Sequence, residues 1–135
     1  MVVRDVMNDY FASAHINSTV GDVMEKMLEE GLGNLLIVDD RSQLVGCIEE
    51  SLLMVAAFDE QWRNNPVSLH MERNFITIRP DEPVGQVVEK FLLHRASEFP
   101  VLSEGKLIGV LTRRQLLRTV LGQQQWKSRV STSVA

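Results

Sequence analysis

The apolar positions of this chain fall into two series that read almost alike. Val20, Val23, Met24, Met27 and Leu28 recur at helical spacing, with Ser18-Thr19 ahead, Asp22 in the first turn and Gly31 behind, which predicts a one-faced helix of about eleven residues. Leu35 to Val38 and Leu44 to Ile48 are short apolar, partly β-branched runs around the polar Asp39-Asp40-Arg41-Ser42, the pattern of two strands and a turn. A second helix is expected from about Glu50 to Arg63, with Leu53, Met54, Ala57 and Phe58 on one face. The later residues predict a strand at Phe75 to Ile78 and a helix from about Val84 to His94 whose start Asp81 and Pro83 mark. Strands at Phe99 to Leu102 and Lys106 to Leu111 and a helix from about Arg113 to Gln123 complete the series. Each half thus reads strand, helix, strand, strand, helix.

The likeness extends to identities. A slide of 64 positions lays Val3 on Val67, Met7 on Met71, Phe11 on Phe75, Val20-Gly21 on Val84-Gly85 and Glu25-Lys26 on Glu89-Lys90. After a one-residue gap near Asp39-Asp40, a slide of 63 lays Leu44 on Leu107, Gly46 on Gly109 and Leu53 on Leu116. Order of this kind marks an internal repeat. The expected organisation is a first repeat over 1–63, a link at 64–66 (Asn64-Asn65-Pro66), a second repeat over 67–121 and a polar tail over 122–135, frayed unless Trp126 pins it. Each half, at about 55 residues, is marginal alone, so the halves are expected to share a core.

Composition narrows the function classes. With 44% apolar and 24% charged residues, the 135-residue chain is ordinary for a globular domain. Its longest apolar run, Leu52 to Phe58, has seven residues, too few to span a membrane, and Arg4, Asp5 and Asp9 follow Met1 where a signal peptide would be apolar. The reading is cytoplasmic. Cys47 is the sole cysteine, which precludes an internal disulfide, and it reads as a small hydrophobe in an apolar strand. A net charge of −4 argues against nucleic acid as a partner.

Few residues carry candidate chemistry. Thr112-Arg113-Arg114, at a strand-to-helix junction, fits a phosphate held by hydroxyl, guanidinium and backbone N–H, and fits equally a capping threonine followed by solvated arginines. Gly31-Leu32-Gly33-Asn34 follows a helix and reads as its C-cap. His15, His70 and His94 form no metal-ligand spacing, and Glu29-Glu30, Asp39-Asp40 and Glu49-Glu50 read as solvated faces and turns, so no metal is expected. No nucleophile, base and orienting residue can be grouped, and no enzyme is expected.

The order of elements, the strand Phe99-Pro100-Val101-Leu102 and the run Gly109-Val110-Leu111-Thr112-Arg113-Arg114-Gln115-Leu116 resemble a CBS domain. Two in tandem resemble a Bateman module over residues 3 to 121. The resemblance implies an α/β fold of two CBS repeats, each about β-α-β-β-α, packed with pseudo-twofold symmetry around a cleft that holds adenosine-type ligands. The family's phosphate and ribose signature is glycine, two apolar residues, Thr or Ser, two variable residues, then Asp. Gly109 and Thr112 match it and Gln115 replaces the Asp, so Thr112, Arg113, Arg114 and Gln115 are implied to meet phosphate and ribose. In the first repeat Gly46 matches, but Glu49 replaces the hydroxyl and Leu52 the Asp. A carboxylate about 5 Å from a phosphate costs on the order of 1–3 kcal/mol, so no anionic ligand is expected there. By the same resemblance Phe75, Ile76 and Thr77 with Ser97, Glu98, Phe99 and Pro100 line base and sugar, although both phenylalanines also suit a core.

The implied function is a regulatory sensor of AMP, ADP, ATP or a related adenosyl ligand, with no cofactor required. It is expected to form a homodimer through its helices and to act on a separate effector protein, with neither nucleic acid nor membrane as partner. The rival expectation is a ligand-free structural or protein-interaction module with degenerate pockets, favoured by Glu49, Leu52 and Gln115.

Overall fold

The structure, a computed structural model, describes residues 1–123. The rest of the expected polar tail, with Trp126, lies outside the described residues. The chain divides into two compact units. The first unit holds Ala12–Phe75 and Glu104–Leu107; the second holds Met1–Phe11, Ile76–Ser103 and the described residues from Ile108 to Gln123.

In the first unit, β1 (Ser13–His15) leads to α1 (Val20–Glu30), then β2 (Asn34–Val38), β3 (Leu44–Glu49), α2 (Glu50–Ala56) and α3 (Glu60–Asn64). Helix α1 begins where the sequence says it should. Thr19 Oγ1 accepts from Asp22 N at 3.1 Å and Asp22 Oδ2 from Thr19 N at 3.3 Å, a reciprocal pair that satisfies two of the helix's unbonded N–H groups. It ends at Gly31, whose φ of 65° suits a residue without Cβ. The buried face, Val20, Val23 and Met27, follows helical spacing. Val23 and Met27 share a core with Leu35, Ile37 and Ile48 from the sheet. That sheet has the order β1-β2-β3, with β1 parallel to β2 and β2 antiparallel to β3. Each such fully buried aliphatic side chain contributes roughly 1.5–3 kcal/mol.

The second unit contains α4 (Val84–His94), β4 (Glu98–Ser103), β5 (Lys106–Thr112) from Ile108 onward and α5 (Arg113–Gln123); β4 and β5 form a hairpin whose tip, Glu104–Leu107, groups with the first unit. The two residues between the strands, Glu104 and Gly105, have φ of 53° and 81°, the left-handed pair that a tight antiparallel hairpin needs. Val84, Val87 and Phe91 of α4 and Leu116 of α5 close over Ile78, Phe99, Val101 and Leu111.

Each unit also takes in the opening segment of the other repeat. Val3 N donates to Glu82 O at 2.9 Å, and Asn8 and Val110 exchange backbone bonds of 2.8 and 2.9 Å, so the chain's first residues belong with the second unit. The equivalent Val67 N donates to Ser18 O at 2.8 Å, and Glu72 and Cys47 exchange bonds of 2.8 and 2.9 Å in the first unit. The repeat offset therefore holds bond for bond.

Two expected elements differ. The helix expected over Glu50 to Arg63 is two helices, because Asp59 (φ −136°) is extended and its Oδ1 accepts from Gln61 N and Trp62 N. Arg63 Nη1 in turn donates to the carbonyls of Ala56 and Ala57 at the end of α2. A short carboxylate competes well for cap geometry and poorly for a helix interior. Asp59→Ala should cost about 0.5–2 kcal/mol and Asp59→Asn much less, a difference that urea denaturation would register. The strand expected at Phe75 to Ile78 is a single parallel bridge, Ile78 to Val101. Ile78 makes both ladder bonds, but Arg79 N is taken by Glu82 Oε1 at 3.1 Å and Asn74 N by Glu72 Oε1 at 2.7 Å. The backbone on either side is thus turned out of the ladder.

Candidate functional site

The strand ends of the second unit bring most of the candidate residues to one edge. Because β4 and β5 form a hairpin, the start of β4 lies beside the end of β5, and the parallel bridge of Ile78 on Val101 runs Ile76 and Thr77 toward that same end. Ser97 O accepts from Arg113 N at 3.0 Å, joining the approach to β4 with the start of α5. Thr77, Ser97, Glu98, Thr112, Arg113 and Gln115 thus come from three segments of one corner.

At that corner Thr112 Oγ1 accepts from Gln115 N at 3.0 Å, so the capping role expected of this threonine is present. A hydroxyl has one donor and two lone pairs, and capping uses one lone pair, which leaves the O–H to donate to a ligand oxygen. Arg113 and Arg114 are exposed, and Gln115 is half-buried, its carbonyl accepting from Thr119 Oγ1 at 3.0 Å. Hydroxyl, guanidinium groups and the positive end of an eleven-residue helix make the corner suited to an anion.

The lining residues divide by burial. Ile76 and Ser97 are exposed, Thr77 and Glu98 half-buried, and Pro100 buried. Phe99 is 2% exposed, and its ring centroid lies 4.5 Å from that of Phe91, so its side chain serves the core. Phe75 is half-buried and groups with the first unit.

The equivalent corner of the first unit has the opposite character. Glu49 is exposed and makes no side-chain cap bond at α2, whereas Leu52 packs on the core. Asp40 stands in the turn as expected and also pairs with His15 Nε2 at 2.6 Å, while Asn17 N donates to His15 Nδ1 at 3.1 Å, which assigns the ring proton to Nε2. Asp39 shapes the turn, its Oδ1 accepting from Arg41 N and Gln43 N. Among the described residues, no three His, Cys, Asp or Glu are grouped to hold a metal ion.

The sequence candidates omitted the groups that fasten the exchanged segments. A Cβ on Gly109 would lie 2.8 Å from Met7 Sδ and 3.0 Å from Asn8 O; one on Gly46 would lie 2.5 Å from Met71 Sδ and 3.1 Å from Glu72 O. The signal was in the repeat, which aligns both methionines and both glycines. Gly109 lies three residues before Thr112, so this contact sets the path of the strand that delivers the hydroxyl. Glu82, also omitted, is buried and pairs with Lys90 Nζ at 2.9 Å.

Fold and corner together define a tandem α/β module of two CBS repeats. The chain belongs to the CBS domain family, whose model matches residues 3–58 and 67–122. Among curated relatives it is 29% identical over 120 residues to the A-adding tRNA nucleotidyltransferase of Aquifex aeolicus, covering 87% of this chain and 14% of that one. Among solved structures it resembles protein MJ1004 of Methanocaldococcus jannaschii, with 27% identity, a TM-score of 0.79 and coverage of 90% of this chain and 60% of the other. It also resembles the CBS domain pair of protein MJ0100 in complex with 5′-methylthioadenosine and S-adenosyl-L-methionine, at 26% identity and a TM-score of 0.73, covering 91% of this chain and 98% of the other. Among the described residues no helix is long and apolar enough to cross a membrane.

Proposed function

We propose that this chain is a regulatory module that binds one adenosine-based ligand per chain at the Thr112 corner. The observation that carries the reading is the convergence of Thr112, Ser97 and the start of α5 at one strand edge, where a hydroxyl and two arginines meet a helix N-terminus. Support also comes from MJ0100, a similar CBS pair whose complex contains two adenosyl compounds. Thr112 donates its O–H to a phosphate or carboxylate oxygen, Arg113 and Arg114 neutralise that charge, and Gln115 meets the ribose hydroxyls. Ile76, Thr77, Ser97 and Glu98 flank base and sugar, while the buried Phe99 and Pro100 back the wall. Glu49 stands where the second unit has the Thr112 hydroxyl, and Glu49 to Leu52 include no cation, so binding is confined to one site.

The module signals by population shift: a ligand that prefers one arrangement of the chain stabilises it by its differential affinity. The output passes to a separate effector protein, and the active form is a homodimer in the cytoplasm. A ligand-free interaction module is the second reading, favoured by the capping bond that already engages Thr112.

Thr112→Ala should weaken ligand binding about tenfold, the loss of one hydrogen bond to a charged group, and Thr112→Ser should restore it. Calorimetric titration of the three proteins checks this. Equal affinity in all three would remove Thr112 from the site.

A further inference from the structure

Helices α2 and α5 are repeat equivalents with their charges inverted. The 63-residue offset lays Glu50 on Arg113, Met54 on Leu117 and Phe58 on Leu121. Positions four apart share a helix face, so Glu50 and Met54 form one outward row, with Phe58 just past its end, and Arg113 and Leu117 form the other. Met54 is 68% exposed, Phe58 91% and Leu117 57%, whereas Leu53, Ala56 and Leu116 turn into their own cores. Each helix is therefore apolar on two sides, which a solvated helix is not. Along the helices themselves the charges separate by sign, with the Arg63 guanidinium of α3 the one cation held at the end of α2, on its last carbonyls, among the described residues. Glu49 and α2 carry acids and no cation; α5 carries Arg113, Arg114 and Arg118 and no acid.

A partner helix covering Met54 and Phe58 must meet Glu49 and Glu50, and one covering Leu117 must meet three guanidinium groups. Pairing α2 with another α2 sets carboxylates against carboxylates, and α5 with α5 sets arginines against arginines. Only unlike helices join opposite charges around matched apolar side chains. We propose that α2 of one chain docks on α5 of a second copy of this chain. This rests on the homodimer reading above and adds its orientation.

Sedimentation equilibrium of the full chain in about 50 mM and about 500 mM sodium chloride tests it, because attraction and repulsion between exposed charges respond oppositely to screening. The expected result is a dimer that weakens about three- to tenfold at the higher salt. Glu50→Lys or Arg118→Glu should each weaken it similarly at low salt, and the chain carrying both changes should recover. Arg118 is chosen because Arg113 and Arg114 are assigned to the ligand, and far-UV circular dichroism verifies that each variant folds. A dimer tightened by, or indifferent to, salt and Glu50→Lys would overturn the orientation and leave the dimer standing. A monomer at every concentration in both salts would overturn both.

Discussion

Phe99→Ala is expected to destabilise the protein by about 3–5 kcal/mol, the largest single effect foreseen for this chain. The side chain is 2% exposed, lies within a core that also contains Val87, Val101 and Leu111, and contacts the ring of Phe91 at a 37° tilt. Truncation removes the transfer free energy of the ring and leaves a cavity that helices and hairpin cannot readily close. Against a total stability of about 5–15 kcal/mol, the loss would be about a fifth or more. Phe99→Leu keeps most of the volume and should cost much less. Urea denaturation of the three proteins checks the order. An alanine variant within about 1 kcal/mol of the parent would contradict the assignment of Phe99 to the core.

Gly46→Ala and Gly109→Ala should each cost about 1–3 kcal/mol through overpacking rather than through lost backbone freedom. Neither glycine has a positive φ in the left-handed region; what forbids a side chain is the methionine of the exchanged segment and the carbonyl that follows it. The sulfur end can move and the carbonyl is held by the bridge, so the strain falls on the seam between strand and segment. Pairing Gly109→Ala with Met7→Ala should recover part of the loss, a coupling that a double-mutant cycle would measure. Strict additivity would show that the two residues do not press on each other. Because Gly109 and Thr112 share β5, Gly109→Ala should also weaken ligand binding.

The elements were legible where local chemistry is self-sufficient. Thr19, Asp22 and Gly31 define both ends of α1, and β2, β3, β4 and β5 are short apolar runs bounded by polar turns, a signal that needs no distant partner. Asp59 was not legible because it stands at a helical position in an apolar periodicity; its role as a cap depends on a break that only packing reveals. The Asp40 pair with His15 joins residues 25 apart and leaves no local trace. The exchange of opening segments was hidden for a related reason: adjacency suggests that Val3 to Phe11 belongs with the half that follows it, and nothing in periodicity says otherwise.

At the site, sequence placed Thr112 at the strand-to-helix corner, and the repeat showed that Glu49 cannot imitate it. It could not separate Phe75 from Phe99, since an aromatic in an apolar run looks the same whether it meets a ligand or a neighbouring ring. Burial distinguishes them: Phe99 is enclosed and Phe75 is half-buried.

The most direct test of the sensor account is calorimetric titration of AMP, ADP, ATP and S-adenosylmethionine into nucleotide-free protein. The account predicts saturable binding of at least one of them at about one site per chain. No heat and no thermal shift with any of the four at millimolar concentration would contradict it and leave the ligand-free interaction module in its place.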